Sequence, residues 1–229
     1  MIKIIFLMLI CHFIGDYYLQ SNKIAGKKAK SYHYTIIHCF YYLVPFACVG
    51  IVLFKGNLIG LLYLFLVTLS HAFTDLCKLR ILKKEPGKKL SYVLDQLCHY
   101  AFIVFITLLF KNQMNKISSL YLSSISLDTL KALLLGVCLG QPHFITNCLL
   151  FYKDIKPSNF FGMKNLLLKL FEIIQALFIG FAQYIFFIVI TVCFFFFAFA
   201  KKKETKDYLM TGLSNTITAI LLFCLFKMV

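Results

Sequence analysis

Residues 57–79 read NLIGLLYLFLVTLSHAFTDLCKL, a stretch long and apolar enough to cross a membrane. A spanning helix needs about 20 mostly apolar residues. The apolar run is interrupted by His71 and Asp75, which are four residues apart in the sequence. This spacing puts two side chains on one face of a helix. The stretch therefore predicts a transmembrane helix that carries a polar pair.

The composition extends this prediction to the whole chain. Of its 229 residues, 61% are hydrophobic and 14% are charged, whereas soluble domains have about 45–50% apolar and about 25% charged residues. These values exclude intrinsic disorder, collagen and a disulfide-stapled secreted module, and they argue against a soluble enzyme. The nine cysteines lie mostly within apolar runs and are interpreted as small buried side chains. We predict an all-α, polytopic integral membrane helical bundle forming a single transmembrane domain over 1–229, with a four-helix half over 1–110 and a C-terminal helical half over 127–229.

Apolar runs of spanning length recur along the chain. The first has no small-residue cleavage site and is interpreted as a retained span, not a signal peptide. The stretch 163–200 is too long for one span and is divided near Gly180, although a polar stripe over 163–179 also fits an interfacial helix. We therefore expect about eight membrane segments, within a range of six to eight. The other candidate spans are 2–20, 33–54, 57–79, 91–110, 128–151 and 208–227.

Lysine-rich connections predict the orientation. The net charge is +15, and lysines cluster after the first span and after the third. Cytoplasmic loops carry such an excess of basic residues, so we place both connections in the cytoplasm and both chain ends outside, in a multi-pass protein of the cell membrane. The connection with Lys111 and Lys116 is then an external loop. The lysine-rich loops are candidates for contact with anionic lipid headgroups of the bilayer, and nucleic acid is not an expected partner.

Histidine and acidic residues are scarce, and several of them fall at one depth of the first four spans. Three pairs have the spacing i, i+4, which lets one helix present two ligands to one metal ion. In the predicted topology all of them lie within one or two turns of the same level, near the cytoplasmic face. The residues concerned are His12, Asp16, His38, His71, Asp75, Asp95 and His99.

The carboxylates of this set need a counter-charge. An ionised Asp within a span costs roughly 2.5–3.5 kcal/mol. With Lys78 assigned to the following loop, we expect no Lys or Arg of the four spans to neutralise them. A divalent transition metal (Zn, Fe or Mn) would balance the carboxylates and accept imidazole nitrogens. All seven residues are therefore candidate metal ligands, for one ion or two, and His38 and Asp95 are also candidates for a catalytic base.

Three functions remain open from these residues. The leading hypothesis is a metal-dependent intramembrane hydrolase whose lipid-type substrate enters from the inner leaflet. The alternative is a cation or proton transporter or channel that uses the same residues. A transporter needs access from both faces, and the external halves of the first four spans are almost purely apolar, which favours a one-sided site. The third hypothesis is a structural subunit in which a metal holds helices together.

The same residues carry a resemblance to a known family. The segments His12-Phe-Ile-Gly-Asp16, Ile37-His38, His71-Ala-Phe-Thr-Asp75 and Asp95-Gln96-Leu-Cys-His99 resemble bacterial membrane proteins grouped as domain of unknown function 3307. A weaker similarity covers Lys201 and 207–214, whereas Ile173 stands where the family pattern implies an arginine. The resemblance implies a bacterial inner-membrane protein and no assigned activity. The His/Asp pattern is also similar in style to that of membrane-bound metal-dependent lipid hydrolases, an analogy of pattern alone.

Overall fold

The protein is described here by a computed structural model that covers residues 1–20, 24, 27, 28, 30–82, 89–139, 191, 192 and 224. In these residues the chain is all-helical and has no strand. Its contacts divide it into two compact units, Met1–Ser126 and Leu127–Val229. The helices are α1 (Ile2–Phe13), α2 (Tyr32–Leu53), α3 (Leu58–Leu82), α4 (Lys89–Leu109), α5 (Lys111–Tyr121) and α6 (Leu127–Leu139), and a π-helical segment (Ile14–Tyr18) follows α1.

Two helices, Tyr32–Leu53 and Leu58–Arg80, are long and apolar enough to cross a membrane. A third span results if Leu94–Leu109 and Lys111–Tyr121, which meet at a bend of 89°, are counted as one broken element. These two or three candidate spans indicate a membrane protein. Most of the span predicted over 128–151, and nearly all of those over 163–200 and 208–227, lie outside the described residues. The total of eight segments therefore stays a prediction.

The outer surface of the first unit is apolar, as expected of helices in contact with lipid. Large side chains stand outward along the two spanning helices, and Phe40, Ile51, Leu58 and Phe65 are 59–79% exposed. Polar side chains such as His38 and His71 are buried instead. A soluble domain places these residue types the other way round. This arrangement is compatible with direct contact between the bundle and a lipid bilayer.

The first helix widens into the π-helical segment at the point where its backbone lies closest to that of α2. The Leu19 N–H donates to the Ile14 carbonyl at 3.0 Å, a π-type bond that spans five residues. A Cβ atom added at Gly15 would lie 3.0 Å from the Cα and carbonyl oxygen of Tyr42. Only glycine therefore lets this segment lie directly against α2. The predicted first span continues beyond α1 in this wider form, and the wide turn carries Asp16.

An apolar core fills the half of the bundle where α1 begins and α2 ends. Ile4, Met8, Phe46, Tyr63 and Val67 form part of it, each with no more than 1% of its surface exposed. The Tyr63 and Thr107 hydroxyls hydrogen-bond to each other at 2.9 Å within this core. The opposite half of the bundle is therefore the one left for buried polar side chains.

The connection predicted as an external loop after the fourth span contains a helix. Lys111–Tyr121 forms α5 and buries Met114 and Ile117 against the bundle core. The Lys3 ammonium donates to the carbonyl of Leu122 at 2.7 Å and holds the chain that leaves α5. Hydropathy predicts a loop here because the segment is too polar for a span. The prediction was wrong because the apolar residues of the segment recur at helical spacing and form one buried face.

Candidate metal centre

All seven polar residues singled out in the sequence are buried in the first unit. Each is at most 7% exposed, and His12 and His38 are fully buried. They come from the end of α1 and the π-helical segment, the first third of α2, the last half of α3 and the middle of α4. Since these helices alternate in direction, the seven positions meet at one end of the bundle. The structure thus brings together residues spread over nearly 90 positions of the chain.

One group of possible ligands consists of Asp16, His38 and His71, whose ligand atoms all lie within 4.8 Å of one another. His38 Nε2 is at its centre. It lies 3.0 Å from Asp16 Oδ1 and 3.2 Å from His71 Nε2. These three side chains come from three different elements and could hold a metal ion.

A second group consists of His71, Asp75 and His99, and it shares His71 with the first. Asp75 Oδ2 lies 3.6 Å from His71 Nε2, and Asp75 Oδ1 lies 3.7 Å from His99 Nε2. The His71 and His99 rings stack with their centroids 4.3 Å apart. Asp75 also lies 3.5 Å from His38 Nε2, so the two groups form one continuous cluster.

The distances within the cluster are close to those between ligands of one ion, although two of the three from His38 Nε2 are about 0.1–0.3 Å shorter. Zinc binds nitrogen and oxygen at about 2.0–2.2 Å, and tetrahedral geometry then separates two ligands by roughly 3.3–3.6 Å. The separations from His38 Nε2 to its three nearest ligand atoms are 3.0, 3.2 and 3.5 Å. The donor set of imidazole and carboxylate is one that zinc, iron and manganese accept. These residues could therefore hold a metal ion, and their donor atoms are ones that transition metals accept.

Among the described residues, several buried polar atoms of this cluster have no hydrogen-bond partner. Buried polar atoms in proteins are nearly always paired, and an unpaired one costs about 1–3 kcal/mol. Two of them, Asp75 Oδ2 and His99 Nε2, belong to the possible ligand set, which is consistent with a role in binding an ion. The atoms are His38 Nδ1, His71 Nδ1, Asp75 Oδ2, Asp95 Oδ1 and both ring nitrogens of His99.

His12 is engaged by other side chains of the cluster. Gln96 Nε2 donates to Asp16 Oδ2 at 3.2 Å, so its Oε1 faces His12 Nε2, also at 3.2 Å, and accepts from it. The other nitrogen, His12 Nδ1, then accepts from the Tyr42 hydroxyl at 3.2 Å. This chain of hydrogen bonds ends on the Asp16 carboxylate and fixes its orientation. In the structure both nitrogens of His12 have these partners, and its role as a metal ligand stays a prediction.

Tyr42 is a component of the site that the sequence analysis missed. Its ring stacks on His71 with centroids 3.5 Å apart and an interplanar angle of 3°. Tyr42 follows His38 by four residues, the same spacing that identified the three His/Asp pairs. The same spacing therefore also indicates Tyr42, whose ring and hydroxyl contact histidines and supply no metal ligand.

Two lysines contact the carboxylates, and here the sequence prediction was wrong. Lys28 Nζ lies 3.0 Å from Asp16 Oδ1, 3.7 Å from Asp75 Oδ2 and 3.2 Å from His38 Nε2. Burial opposes the charged form of Lys28, but the carboxylates of Asp16 and Asp75 outweigh it and raise the pKa of Lys28 above its usual range. Lys28 comes from the connection before α2. The prediction considered only the lysines and arginines within the spans, so it did not include Lys28.

The second lysine neutralises the remaining carboxylate. Lys78 lies on α3, one turn beyond Asp75, and its Nζ is 2.5 Å from Asp95 Oδ2 on α4. It belongs to the helix and not to the loop to which the sequence analysis assigned it. Asp95 Oδ1 lies 3.6 Å from His99 Nε2. Asp95 therefore borders the second ligand group on the side of α4, next to His99.

Comparison with known proteins identifies the family. Residues 4–147 match the family of proteins of unknown function DUF3307. No curated protein and no solved structure matches the chain. The match includes all seven residues of the cluster and spans more than half of the chain, in agreement with the resemblance seen in the sequence. The chain belongs to the DUF3307 family.

Proposed function

We propose that this membrane protein binds a divalent transition metal in its His/Asp cluster and uses it to hydrolyse a lipid-type substrate. The observation that carries the proposal is the pair of overlapping ligand groups, Asp16–His38–His71 and His71–Asp75–His99. A metal held by such groups lowers the pKa of a bound water and makes it a nucleophile at neutral pH. The shared residue His71 allows either one ion at the centre of the cluster or two ions side by side.

The charges of the cluster support a divalent ion. With neutral imidazoles, the carboxylates of Asp16, Asp75 and Asp95 exceed the ammonium groups of Lys28 and Lys78 by one. If a divalent cation takes the place of the Lys28 ammonium, the cluster becomes neutral. A buried site that is neutral avoids the cost of an uncompensated charge. We infer that Lys28 is a tethered cation that holds the carboxylates together when no metal is bound.

Asp95 is the best candidate for the base of the reaction. Its Oδ2 is bound by Lys78, and its Oδ1 is buried beside His99 without a hydrogen-bond partner among the described residues. It lies outside both ligand groups. A carboxylate in this position would accept a proton from the attacking water. His38, the second candidate from the sequence, contacts four groups of the cluster and is better suited to be a ligand.

The apolar core favours hydrolysis over transport. A transported ion would have to pass from the cluster through the half of the bundle that contains Met8, Phe46, Tyr63 and Val67, all buried. In the described residues of this half, the buried polar side chains are Tyr63 and Thr107, which hydrogen-bond to each other, and Ser118 on α5. An ion in such surroundings has no ligands and pays its full desolvation cost. These surroundings support a site with access from one end of the bundle only.

The lysines near the cluster support the proposed orientation and substrate. Lys27, Lys28 and Lys30 precede α2 at the end of the bundle where the cluster lies. An excess of lysine is typical of the cytoplasmic side, and it attracts anionic lipid headgroups. We propose that the cluster opens to the inner leaflet. A Lys28 ammonium displaced by metal would then be available to contact an anionic group of the substrate.

A metal-dependence assay on a lipid panel tests this function. The purified protein is stripped with a chelator, reloaded with Zn²⁺, Fe²⁺ or Mn²⁺, and incubated with glycerophospholipids and isoprenoid phosphates in mixed micelles. We expect product release only after reloading, and a loss of about 100-fold or more in Asp95→Asn at unchanged metal content. Equal activity in Asp95→Asn and wild type would contradict the role of Asp95. Metal binding without hydrolysis of any of these lipids would contradict the proposed hydrolase activity.

A further inference from the structure

A cavity lies at the end of the bundle opposite the His/Asp cluster. It has a volume of about 380 Å³ and lies between the α2–α3 connection and α5. In the connection, Lys55 and Gly56 adopt φ values of 34° and 82°, and the Asn57 N–H donates to the Phe54 carbonyl at 2.6 Å. This tight turn places Lys55 at the rim of the cavity.

The walls of the cavity combine positive charge with an apolar floor. Lys55 and Lys116 line it from its two sides, and Lys55 Nζ lies 5.7 Å from the centre of the Tyr121 ring. The floor includes Leu53, Phe54 and Ile117, which are 6%, 2% and 3% exposed. Such a cavity suits a ligand with an anionic head and an apolar body.

No carboxylate of the surrounding sequence neutralises these lysines. The chain has no Asp or Glu over 17–74 or 96–127, which include the elements that line the cavity. The acidic residues of the described first unit, Asp16, Asp75 and Asp95, lie in the cluster at the other end. An anion would therefore be the natural partner of Lys55 and Lys116.

The direction of α5 places the cavity at the level of lipid headgroups. The helix turns by 89° from Leu94–Leu109, so it runs across the end of the bundle and not along the spanning helices. Met114 and Ile117 face the core, while Lys111 and Lys116 are exposed. A helix with this distribution of residues lies in the membrane interface, where lipid phosphates are found.

We propose that this cavity binds the phosphate headgroup of an anionic lipid, with the first part of the lipid tail on the apolar floor. The volume is within the range of about 300–1,000 Å³ for small-molecule sites and exceeds what one inorganic phosphate would fill. Lys55 and Lys116 bind the phosphate from opposite sides. The site is independent of the His/Asp cluster and of its metal.

Titration of the full chain in neutral detergent tests the proposal. The probes are a short-chain phosphatidic acid, a phosphatidylcholine with the same chains, and inorganic phosphate, each followed by calorimetry. We expect saturable binding of phosphatidic acid that is at least tenfold tighter than that of the other two. Each lysine near a membrane surface contributes about a fivefold change in binding, so Lys55→Gln and Lys116→Gln should each weaken binding about fivefold. Lys111→Gln is the matched control, since Lys111 is on the same helix but does not line the cavity.

Three results would overturn the proposal. An equal loss in Lys111→Gln would show that the probe senses surface charge in general. Wild-type affinity in the Lys55→Gln/Lys116→Gln double variant, with an unchanged thermal melting curve, would show that the cavity is not the site. Binding of inorganic phosphate as tight as that of phosphatidic acid would assign the site to free phosphate and not to a lipid.

Discussion

Replacement of Lys28 should have opposite effects on the metal-free and metal-bound protein. Lys28 Nζ makes one hydrogen bond to a carboxylate, to Asp16 Oδ1 at 3.0 Å, and a second to His38 Nε2 at 3.2 Å. An incoming metal ion must break both. The bond to the Asp16 carboxylate alone contributes about 1.5–3 kcal/mol, the usual range for a hydrogen bond to a charged group, and this corresponds to a factor of about 10–150 in affinity. We therefore expect Lys28→Gln to bind Zn²⁺ about 10–150 times more tightly than wild type.

The metal-free form of Lys28→Gln should be less stable than wild type. Asp16 and Asp75 would then be buried without their cation, a change that typically costs about 3–5 kcal/mol. We expect a lower melting temperature in the presence of chelator and a larger increase on addition of Zn²⁺. Zinc affinity is measured by competition with a chromophoric chelator, and stability by thermal melting in detergent. The control is Lys27→Gln, because Lys27 is the neighbouring lysine and contacts Tyr34 instead.

The reasoning would be refuted by either of two results. If Lys28→Gln bound Zn²⁺ with wild-type affinity or more weakly, Lys28 would not occupy the position of the metal. If the melting temperature in chelator were the same for Lys28→Gln, Lys27→Gln and wild type, Lys28 would not neutralise the buried carboxylates.

Three further perturbations follow from particular contacts of the site. Gly15→Ala places a Cβ about 3.0 Å from Tyr42 backbone atoms. We therefore expect a loss of about 1–3 kcal/mol in the free energy of unfolding, measured by denaturant titration. In the control Gly56→Ala no clash of this kind occurs, and any loss comes from the positive φ of its turn. Gln96→Leu removes the donor to Asp16 and the acceptor for His12; metal affinity should fall about 10–100-fold with the stoichiometry unchanged, and an unchanged Kd would exclude this positioning role. Lys78→Gln removes the ammonium from Asp95 and should cost about 1.5–3 kcal/mol in thermal melts, whereas Arg80→Gln, at an exposed position of the same helix, should not.

The sequence predicted the cluster well because its signal is local. Three i, i+4 pairs on apolar helices are visible without any tertiary information, and the structure brings all of them together at one end of the bundle. The same rule would have found Tyr42, four residues after His38. It went unnoticed because its contribution is a ring stacked on His71 and a hydroxyl bonded to His12, and neither is a ligand contact.

Other features depend on contacts that no local pattern encodes. Lys28 lies in a polar connection, and nothing nearby in the sequence indicates that it folds back onto Asp16 and Asp75. The π-helical segment at Ile14–Tyr18 occurs where Gly15 lies against Tyr42, a residue of another helix. The helix Lys111–Tyr121 is too polar for a span and buries only a few apolar residues. Hydropathy alone therefore predicted a loop there.

The most direct test of the metal centre is elemental analysis of the protein purified in detergent without chelators. We expect one or two equivalents of a transition metal per chain in wild type and in His33→Ala, since His33 is exposed and outside the cluster. His71→Ala and Asp75→Asn should contain less than a tenth of that amount while keeping wild-type helical content by circular dichroism. Absence of metal from the wild-type protein, also after incubation with Zn²⁺, Fe²⁺ or Mn²⁺, would contradict the account, as would full metal content in both cluster variants.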